Sequence, residues 1–344
     1  MTQPLRKQKR VTIKDVAAHA GVSVSTVSYV LNDSGPVAEA RRSRVLDAVR
    51  VLEYSPNESA RSLKRRSAST IGMVVPELSN SFFGMVVEGV EAAATERDVL
   101  VVLVVPEAGG HDEDRQMKLM RSQRIDGLIY LSGTGSAPSS LYEIARSGPV
   151  VLIDEQIPGL DLPAVVCDAR KGAREIAKHV LDHGHRRIAV IGGPSARWTA
   201  QQRLAGYREA FAGAGLDPDE VPVLQGDYQQ ASGRALAAEA LAAEPRPTAL
   251  ICANDLMAVG AMEYCREVGI RCPEEVSIVG FDDLPLSNML SPRLTNVRQP
   301  AHDMGFRAAS LLFDILDGQA SHTIEVLPVT MQLRDSVCPP EAEQ

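Results

Sequence analysis

Between Ser23 and Tyr29 the chain reads SVSTVSY, with small hydroxyls at Ser23, Ser25, Thr26 and Ser28 and a phenol at Tyr29. Hydroxyls of this kind hydrogen-bond to phosphate oxygens and base edges, and side chains this small leave a helix slim enough for the major groove of DNA. The elements that must position them are legible on either side. Ile13, Val16, Ala17 and Ala20 stand at i, i+3, i+4 and i+7, one face of an amphipathic helix. Thr12 can accept from the backbone N–H of Asp15, whose carboxylate suits the positive end of that helix. Gly21 supplies the backbone freedom to stop it, and Ser23 can cap a second helix. There Val27, Val30 and Leu31 point inward, leaving Val24, Ser25, Thr26, Ser28 and Tyr29 outside. The pattern is a helix-turn-helix.

Short helix pairs with a glycine turn also occur inside ordinary cores, so charge must arbitrate. Residues 1–68 hold 13 Lys/Arg against 6 Asp/Glu, a net of +7, whereas the remainder holds 23 against 38, a net of −15, which together make the −8 of the chain. A basic head on an acidic body points to nucleic acid as the partner of the head.

After Asn32 the pattern predicts a turn and a third helix of about fifteen residues ending near Glu53, with Val45, Val49 and Leu52 as its inner stripe. Pro56 breaks that helix and Asn57 can cap a short one. Ala60 and Leu63 lie three apart on it, among Arg61, Lys64, Arg65 and Arg66. The segment is compatible with two descriptions: a flexible basic linker, or a hinge helix that orders only on DNA with Leu63 wedged into the minor groove. The first ten residues, MTQPLRKQKR, read as a basic arm that touches phosphates or as a tail without function.

From Thr70 onward the pattern changes. IGMVVPE, VLVVLVVPE, DGLIYLSG, PVVLIDE, RIAVIGG, TALICAND and VSIVGFDD are apolar runs ending in polar residues or glycine. Helical stretches such as Phe83–Arg97 and Lys171–His183 separate them. Such alternation implies an α/β fold of two doubly wound parallel sheets, with ligands at the carboxyl ends of the strands. Five cysteines with no CxxC spacing read as reduced, mostly buried thiols, and no apolar run is long enough to span a membrane. The N-terminus lacks a signal-peptide pattern and the C-terminus lacks a leucine heptad, so the expectations are a cytoplasmic chain and no tetramerising coiled coil. His183 and His185 have no third ligand nearby, and Gly184 reads as a helix C-cap rather than part of a metal site. HDEDRQ at 111–116 reads as the acidic start of a helix. Neither a nucleophile elbow nor a phosphate loop is present. No catalysis, cofactor or metal is expected.

These motifs together resemble the LacI family of bacterial transcription repressors over essentially the whole chain. The matching stretches are TIKDVAAHAGVSVSTVSYVLN, YSPNESARSL, IGMVVPELSNSFF, GHRRIAVIGGP, RLAGYREAF, PTALICANDLMAVGAM and VSIVGFDDLPLSNMLSPRLTNVRQP. The resemblance implies a cytoplasmic, nucleoid-associated homodimer that binds double-stranded, pseudo-palindromic operator DNA. It implies a periplasmic-binding-protein-like core that clamps a small effector. The divisions it suggests are an arm at 1–10, a head at 11–55 and a hinge at 56–68. Two core subdomains would follow, at 69–168 with 300–328 and at 169–299 with 329–344.

Residue by residue, the resemblance places Val24, Ser25 and Tyr29 on base edges. It places Thr12, Ser23, Thr26, Ser28 and Asn32 on phosphates, and Asn57, Ala60 and Leu63 in the hinge contact. Val24 can make only apolar contacts, such as one with a thymine methyl, and Tyr29 is no bidentate reader, so DNA shape should carry part of the specificity. The implied effector contacts are Asn80, Phe82, Phe83, Asp154, Arg197, Arg203, Tyr228, Asn254 and Asp282. Carboxylates and amides for hydroxyls, a guanidinium fork and two flat rings suit a sugar-like ring. The two arginines also admit an anionic sugar derivative, and the two aromatics a purine-like base. Asn254 and Asp255 could instead cap the following helix, Phe82 could be core, and Trp198 could line the cleft or lie exposed. An activator of the same architecture, and a solute-binding or enzymatic α/β protein with an incidental head, are the competing functional classes.

Overall fold

The computed structural model describes residues 11–32, 35–52, 54, 70–106, 112–122, 125–319 and 323–341. The chain forms two units, residues 1–67 and 68–344.

In the first unit, α1 (Ile13–Ala20), α2 (Val24–Asn32) and α3 (Glu39–Val51) enclose a small core of Val16, Ala17, Ala20, Val27, Val30, Val45 and Ala48. Each helix end has its physical cause. The Asp15 carboxylate accepts from the backbone N–H of Thr12 at 2.8 Å and from its hydroxyl at 2.7 Å. Gly21 closes α1 with a left-handed φ of 63°. Ser23 Oγ accepts from the N–H of Thr26 at 3.1 Å and so caps α2. In α3 the inner stripe is Val45 and Ala48, while Val49 and Leu52 are half-buried at its edge. Glu53, where the sequence pattern put the helix end, lies outside the described residues.

The second unit holds two six-stranded sheets. The first comprises β1 (Thr70–Val74), β2 (Leu100–Val104), β3 (Gly127–Tyr130), β4 (Val150–Ile153), β5 (Ala164–Cys167) and β11 (Ile324–Leu327), in the order β11-β5-β4-β3-β1-β2. The second comprises β6 (Ile188–Gly192), β7 (Val223–Gln225), β8 (Ala249–Cys252), β9 (Ser277–Asp282), β10 (Thr295–Arg298) and β12 (Thr330–Gln332), in the order β12-β10-β9-β8-β6-β7. All pairings are parallel except β10 with β12. The chain therefore crosses between sheets after β5, after β10 and after β11. The seven apolar runs are all strands. The other five strands span only three or four residues, and edge strands such as β7 and β11 expose alternate side chains, so no long apolar run marks them.

Helices α4 (Ser81–Glu96) and α11 (Ala301–Leu316) cover one face of the first sheet, and α7 (Ala169–Asp182) and α8 (Trp198–Gly213) one face of the second. Their buried residues form one continuous apolar cluster running through both sheets. The far faces carry α5 (Glu113–Ser122) with α6 (Ser139–Ser147), and α9 (Gln230–Leu241) with α10 (Asp255–Val268). No described helix is long and apolar enough to cross a membrane.

The α4–α11 pair crosses where neither helix has a side chain. A Cβ at Gly89 would lie 1.9 Å from the carbonyl oxygen of His302, and one at Gly305 would lie 2.0 Å from that of Val86. Overpacking so close a backbone contact must push the helices apart. Gly89→Val should lower unfolding stability by roughly 2 kcal/mol or more. Urea denaturation checks this, and an unchanged midpoint would show the crossing to be loose.

Candidate functional site

On the head, α2 turns its hydroxylated face outward: Val24 is 41% exposed and Tyr29 49%, with Ser25 exposed between them. The Tyr29 ring lies against Gly35, where a Cβ would come within 3.3 Å of it. Thr12 and Ser23 sit at the two N-caps, with Ser23 Oγ 2.8 Å from both Ser25 Oγ and Thr26 Oγ1. Thr26 and Ser28 are half-buried. The Asn32 side chain and residues 55–69, with Asn57, Ala60 and Leu63, lie outside the described residues.

In the core, all nine residues singled out by the family resemblance line one cavity at the carboxyl ends of the strands. Most reach it from a strand end or a helix start, Arg203 from the second turn of α8 and Tyr228 from the loop between β7 and α9. Asp154 follows β4 and Asp282 ends β9. Asn80 precedes α4, Arg197 precedes α8 and Asn254 precedes α10. Arg203 is only 4% exposed. Its Nη2 lies 3.4 Å from Asp282 Oδ1, its Nη1 donates to the carbonyl of Ala253, and its guanidinium carbon sits 4.1 Å from the Phe281 ring centre and 5.6 Å from that of Tyr228. Gln299 Nε2 donates to Asp282 Oδ1 at 2.7 Å, while the Cys167 thiol donates to Gln299 Oε1 at 2.8 Å. Five non-glycine residues have left-handed backbone among the described residues. Asp154, Tyr228 and Asp282 (φ 65°, 71° and 108°) line the cavity, and Asp283 adjoins it. Local strain of this kind concentrates at binding sites.

The head matches the model of bacterial regulatory proteins of the lacI family over residues 12–57, and the core matches the periplasmic binding protein-like domain over residues 177–337. The HTH-type transcriptional repressor CytR of Escherichia coli K12 is 32% identical over 314 residues, 91% of this chain and 92% of that protein. PurR of Photobacterium profundum is 34% identical over 305 residues, 88% of this chain and 91% of that protein. The chain belongs to the LacI family. Its fold is that of a lac repressor dimer solved bound to operator and the anti-inducer ONPF, with a TM-score of 0.83, 28% identity, and coverage of 96% of this chain and all of that one. The CelR–cellobiose complex aligns with a TM-score of 0.73 and 34% identity over 95% of this chain and all of that one. This LacI-family chain is thus a DNA-binding transcription regulator with a periplasmic-binding-protein-like effector domain.

Several cavity residues also do structural work. Asn80 Oδ1 caps α4 by accepting from the N–H of Phe82 at 3.0 Å. Asn254 is the cap of α10, accepting from the N–H of Met257 at 2.9 Å and donating to the carbonyl of Tyr228 at 2.9 Å. Asp255, the other capping candidate, is instead the wholly buried first residue of α10. There its Oδ2 accepts from Leu284 N–H, Ser287 Oγ and Asn296 Nδ2, fixing the loop after Asp282. Burial and the nearby Asp282 raise its pKa to about 8. Phe82, 3% exposed, packs in the core edge-on to Phe83. Trp198 does not line the cavity; it is half-buried against the apolar cluster on the far face of the first sheet. Both ring nitrogens of His185 are occupied, by Thr248 Oγ1 and the carbonyl of Cys338. Glu113, at the acidic start of α5, accepts from the buried Tyr130 hydroxyl at 2.7 Å. The five cysteines are free thiols.

Glu77, Thr199, Asp227, Gln229 and Gln299 also line the cavity. Glu77 closes the first apolar run, and Asp227 and Gln229 flank Tyr228, so the rule that ligands lie at strand ends could have found them. Thr199 leads to a further group. Glu155, 1% exposed, accepts from the Thr199 hydroxyl at 2.6 Å and from its N–H at 3.3 Å, joining the end of β4 to the start of α8. Burial, then the neighbouring Asp154, raises the Glu155 pKa to about 7. Burial also lifts Asp282 to about 7 against the pull of Arg203.

The sign follows from linkage. A carboxyl whose pKa is higher folded than unfolded favours the folded state at low pH, and this contribution is lost as pH rises. Between pH 4.5 and about 7 the Glu155 contribution should therefore disappear. Unfolding free energies from urea titrations should fall more steeply between pH 5 and pH 7.5 in the wild type than in Glu155→Gln, by about 1–3 kcal/mol. Parallel slopes would mean that Glu155 titrates near its ordinary value when folded.

Proposed function

We propose that this regulator is a repressor that binds a pseudo-palindromic operator as a homodimer and is controlled by a sugar or sugar derivative held in the cleft between its two sheets. The observation that carries the reading is the convergence of Asp154, Asp282, Asn254 and Arg203 with two flat rings on one small polar cavity, in a chain that also presents the α2 face. Hydroxyls of a pyranose or furanose ring match that set of acceptors and donors, and Phe83 or Tyr228 suits the C–H face of such a ring. Cellobiose in the CelR complex supports a sugar, and operator in the lac repressor complex supports the partner of the head.

On the DNA side, Val24, Ser25 and Tyr29 would face base edges and Thr12, Ser23, Thr26, Ser28 and Asn32 the phosphates. Asn57, Ala60 and Leu63 would form the hinge contact. The arm would be 1–10, the head 11–55 and the hinge 56–68. The two core subdomains would be 69–168 with 300–328 and 169–299 with 329–344, so that closure about their three crossovers transmits effector binding. In this reading the protein acts in the cytoplasm on nucleoid DNA and catalyses no reaction.

Operator titrations with and without effector separate the two sites. Ser25→Ala with Tyr29→Ala should weaken specific DNA binding by about 1–3 kcal/mol while effector still binds. Asp282→Asn, which keeps an amide oxygen toward Arg203, should keep operator affinity and abolish the response to effector, and a retained response would move the effector site elsewhere. Leu63→Ala should weaken operator binding alone. Sedimentation of the free protein should give a dimer at micromolar concentration, and a stable monomer there would sink the two-fold operator model.

A further inference from the structure

Charge in the cleft distinguishes among the effectors that residue types alone leave open. Carboxylates of Glu77, Asp154, Asp227 and Asp282 line the cavity against the guanidiniums of Arg197 and Arg203. Both guanidiniums are already engaged. Arg203 pairs with Asp282 and the carbonyl of Ala253, while Arg197 donates to the carbonyl of Gly133 and lies 5.3 Å from the Tyr228 ring centre.

The other attraction for an anion in such a cleft is the positive end of a helix, and four helices begin there. Each beginning is filled from within the chain. Asn80 and Asn254 cap α4 and α10 with their side-chain oxygens. Asp227 Oδ1 accepts from the N–H of Gln229 at 2.8 Å at the start of α9. At α8 the Glu155 carboxylate takes the N–H and hydroxyl of Thr199, so a buried carboxylate stands where a phosphate would otherwise be held. The buried cleft atoms without a hydrogen-bond partner are one acceptor, Asp154 Oδ1, and two donors, Arg203 Nε and the Tyr228 hydroxyl. A hydroxyl satisfies both kinds of need, donating to the first and accepting from the second, without bringing charge. A carboxylate or a phosphate-ester dianion has no proton for Asp154, and any anion meets the cleft carboxylates on several sides, which is unfavourable in a desolvated site.

We infer that the effector is an uncharged hydroxyl-bearing molecule that donates to Asp154, and that Glu155 at the start of α8 bars anionic relatives such as sugar phosphates and acid sugars. The inference rests on the reading of the cleft as an effector site.

The test uses the full-length protein at about pH 8, where carboxyls such as Glu155 and Asp282 with pKa values raised to about 7 are ionised, and the fluorescence of Trp198, the one tryptophan of the chain, which directly precedes Thr199. Probes that differ in charge are titrated in pairs: ribose with ribose 5-phosphate, glucose with glucose 6-phosphate, and glucose with glucuronate. Wherever a member of a pair binds, the neutral one should bind at least about tenfold more tightly. Glu155→Gln should shrink that ratio to about threefold or less, and the isosteric Asp154→Asn, which serves should the first variant not fold, should shrink it in the same direction. Tighter binding of a charged member to the wild type overturns the inference and leaves the effector reading intact. A ratio unchanged in both variants overturns the role given to these carboxylates. Inorganic phosphate repeats the test without a sugar. The wild type should give no saturable response up to about 10 mM, whereas Glu155→Gln should respond. A saturable wild-type response to phosphate overturns the inference. Silence toward every sugar with the phosphate result as expected removes the sugar reading and leaves the charge inference standing.

Discussion

The core depends on a guanidinium that cannot leave. Arg203 is buried between the Phe281 and Tyr228 rings, with its charge answered by Asp282 and, at longer range, by Asp154. An unpaired charge at that depth would be prohibitively costly, so every neighbour is constrained by it. Asp282 must hold its carboxylate toward α8, which the chain achieves with a φ of 108° at that residue and with Gln299 Nε2 on its Oδ1. Gln299 in turn sits on the crossover between the sheets and receives the Cys167 thiol from the end of β5. One buried pair thereby ties β9, a crossover strand and the end of β5 to the same point. A ligand that competes for Asp282 or Arg203 acts on the joint between the sheets as well as on a pocket wall.

Asp255 extends that constraint one layer back. Three donors converge on its Oδ2 from the loop 284–287 and from β10, and this loop follows directly on Asp282. The stretch behind the site is held from the other side by Arg334, whose Nη2 lies 2.5 Å from Asp283 Oδ1. The cleft is consequently preorganised by groups that never reach the cavity, the arrangement expected where side chains must present fixed donors and acceptors.

Much of this was legible in the chain, for identifiable reasons. Runs such as RIAVIGG and TALICAND are buried on both faces, so every residue carries the strand signal, whereas TNVR and IEVL are short and mixed and do not. The α1 and α2 boundaries were legible because Thr12, Gly21 and Ser23 each act on backbone within three residues. Nine cavity residues could be named from family motifs, but Glu155 could not. Its role depends on Thr199, 44 positions away, and nothing local in IDEQ distinguishes a buried helix-end carboxylate from a solvated one. The competition between Asn254 and Asp255 was equally beyond local reading. Either could cap α10, and the choice was decided by Leu284, Ser287 and Asn296, whose donors reach Asp255 only once β9 and β10 lie beside α10 in the folded sheet.

The helix starts around the cleft show how one scaffold can serve different ligands. In α/β sheets of this kind helix N-termini converge at the strand ends, and left bare they attract anions by default. Here two are closed by amides and two by carboxylates, so the backbone contribution is spent inside the protein. Recognition then falls to side-chain groups such as Asp154 Oδ1 and Arg203 Nε, which ask for a hydroxyl rather than a charge. Exchange of a single capping carboxylate for a neutral residue would expose a helix end and admit an anion, with strand order and packing unchanged. The sign of the effector's charge is in that sense set at the caps, one residue type at a time.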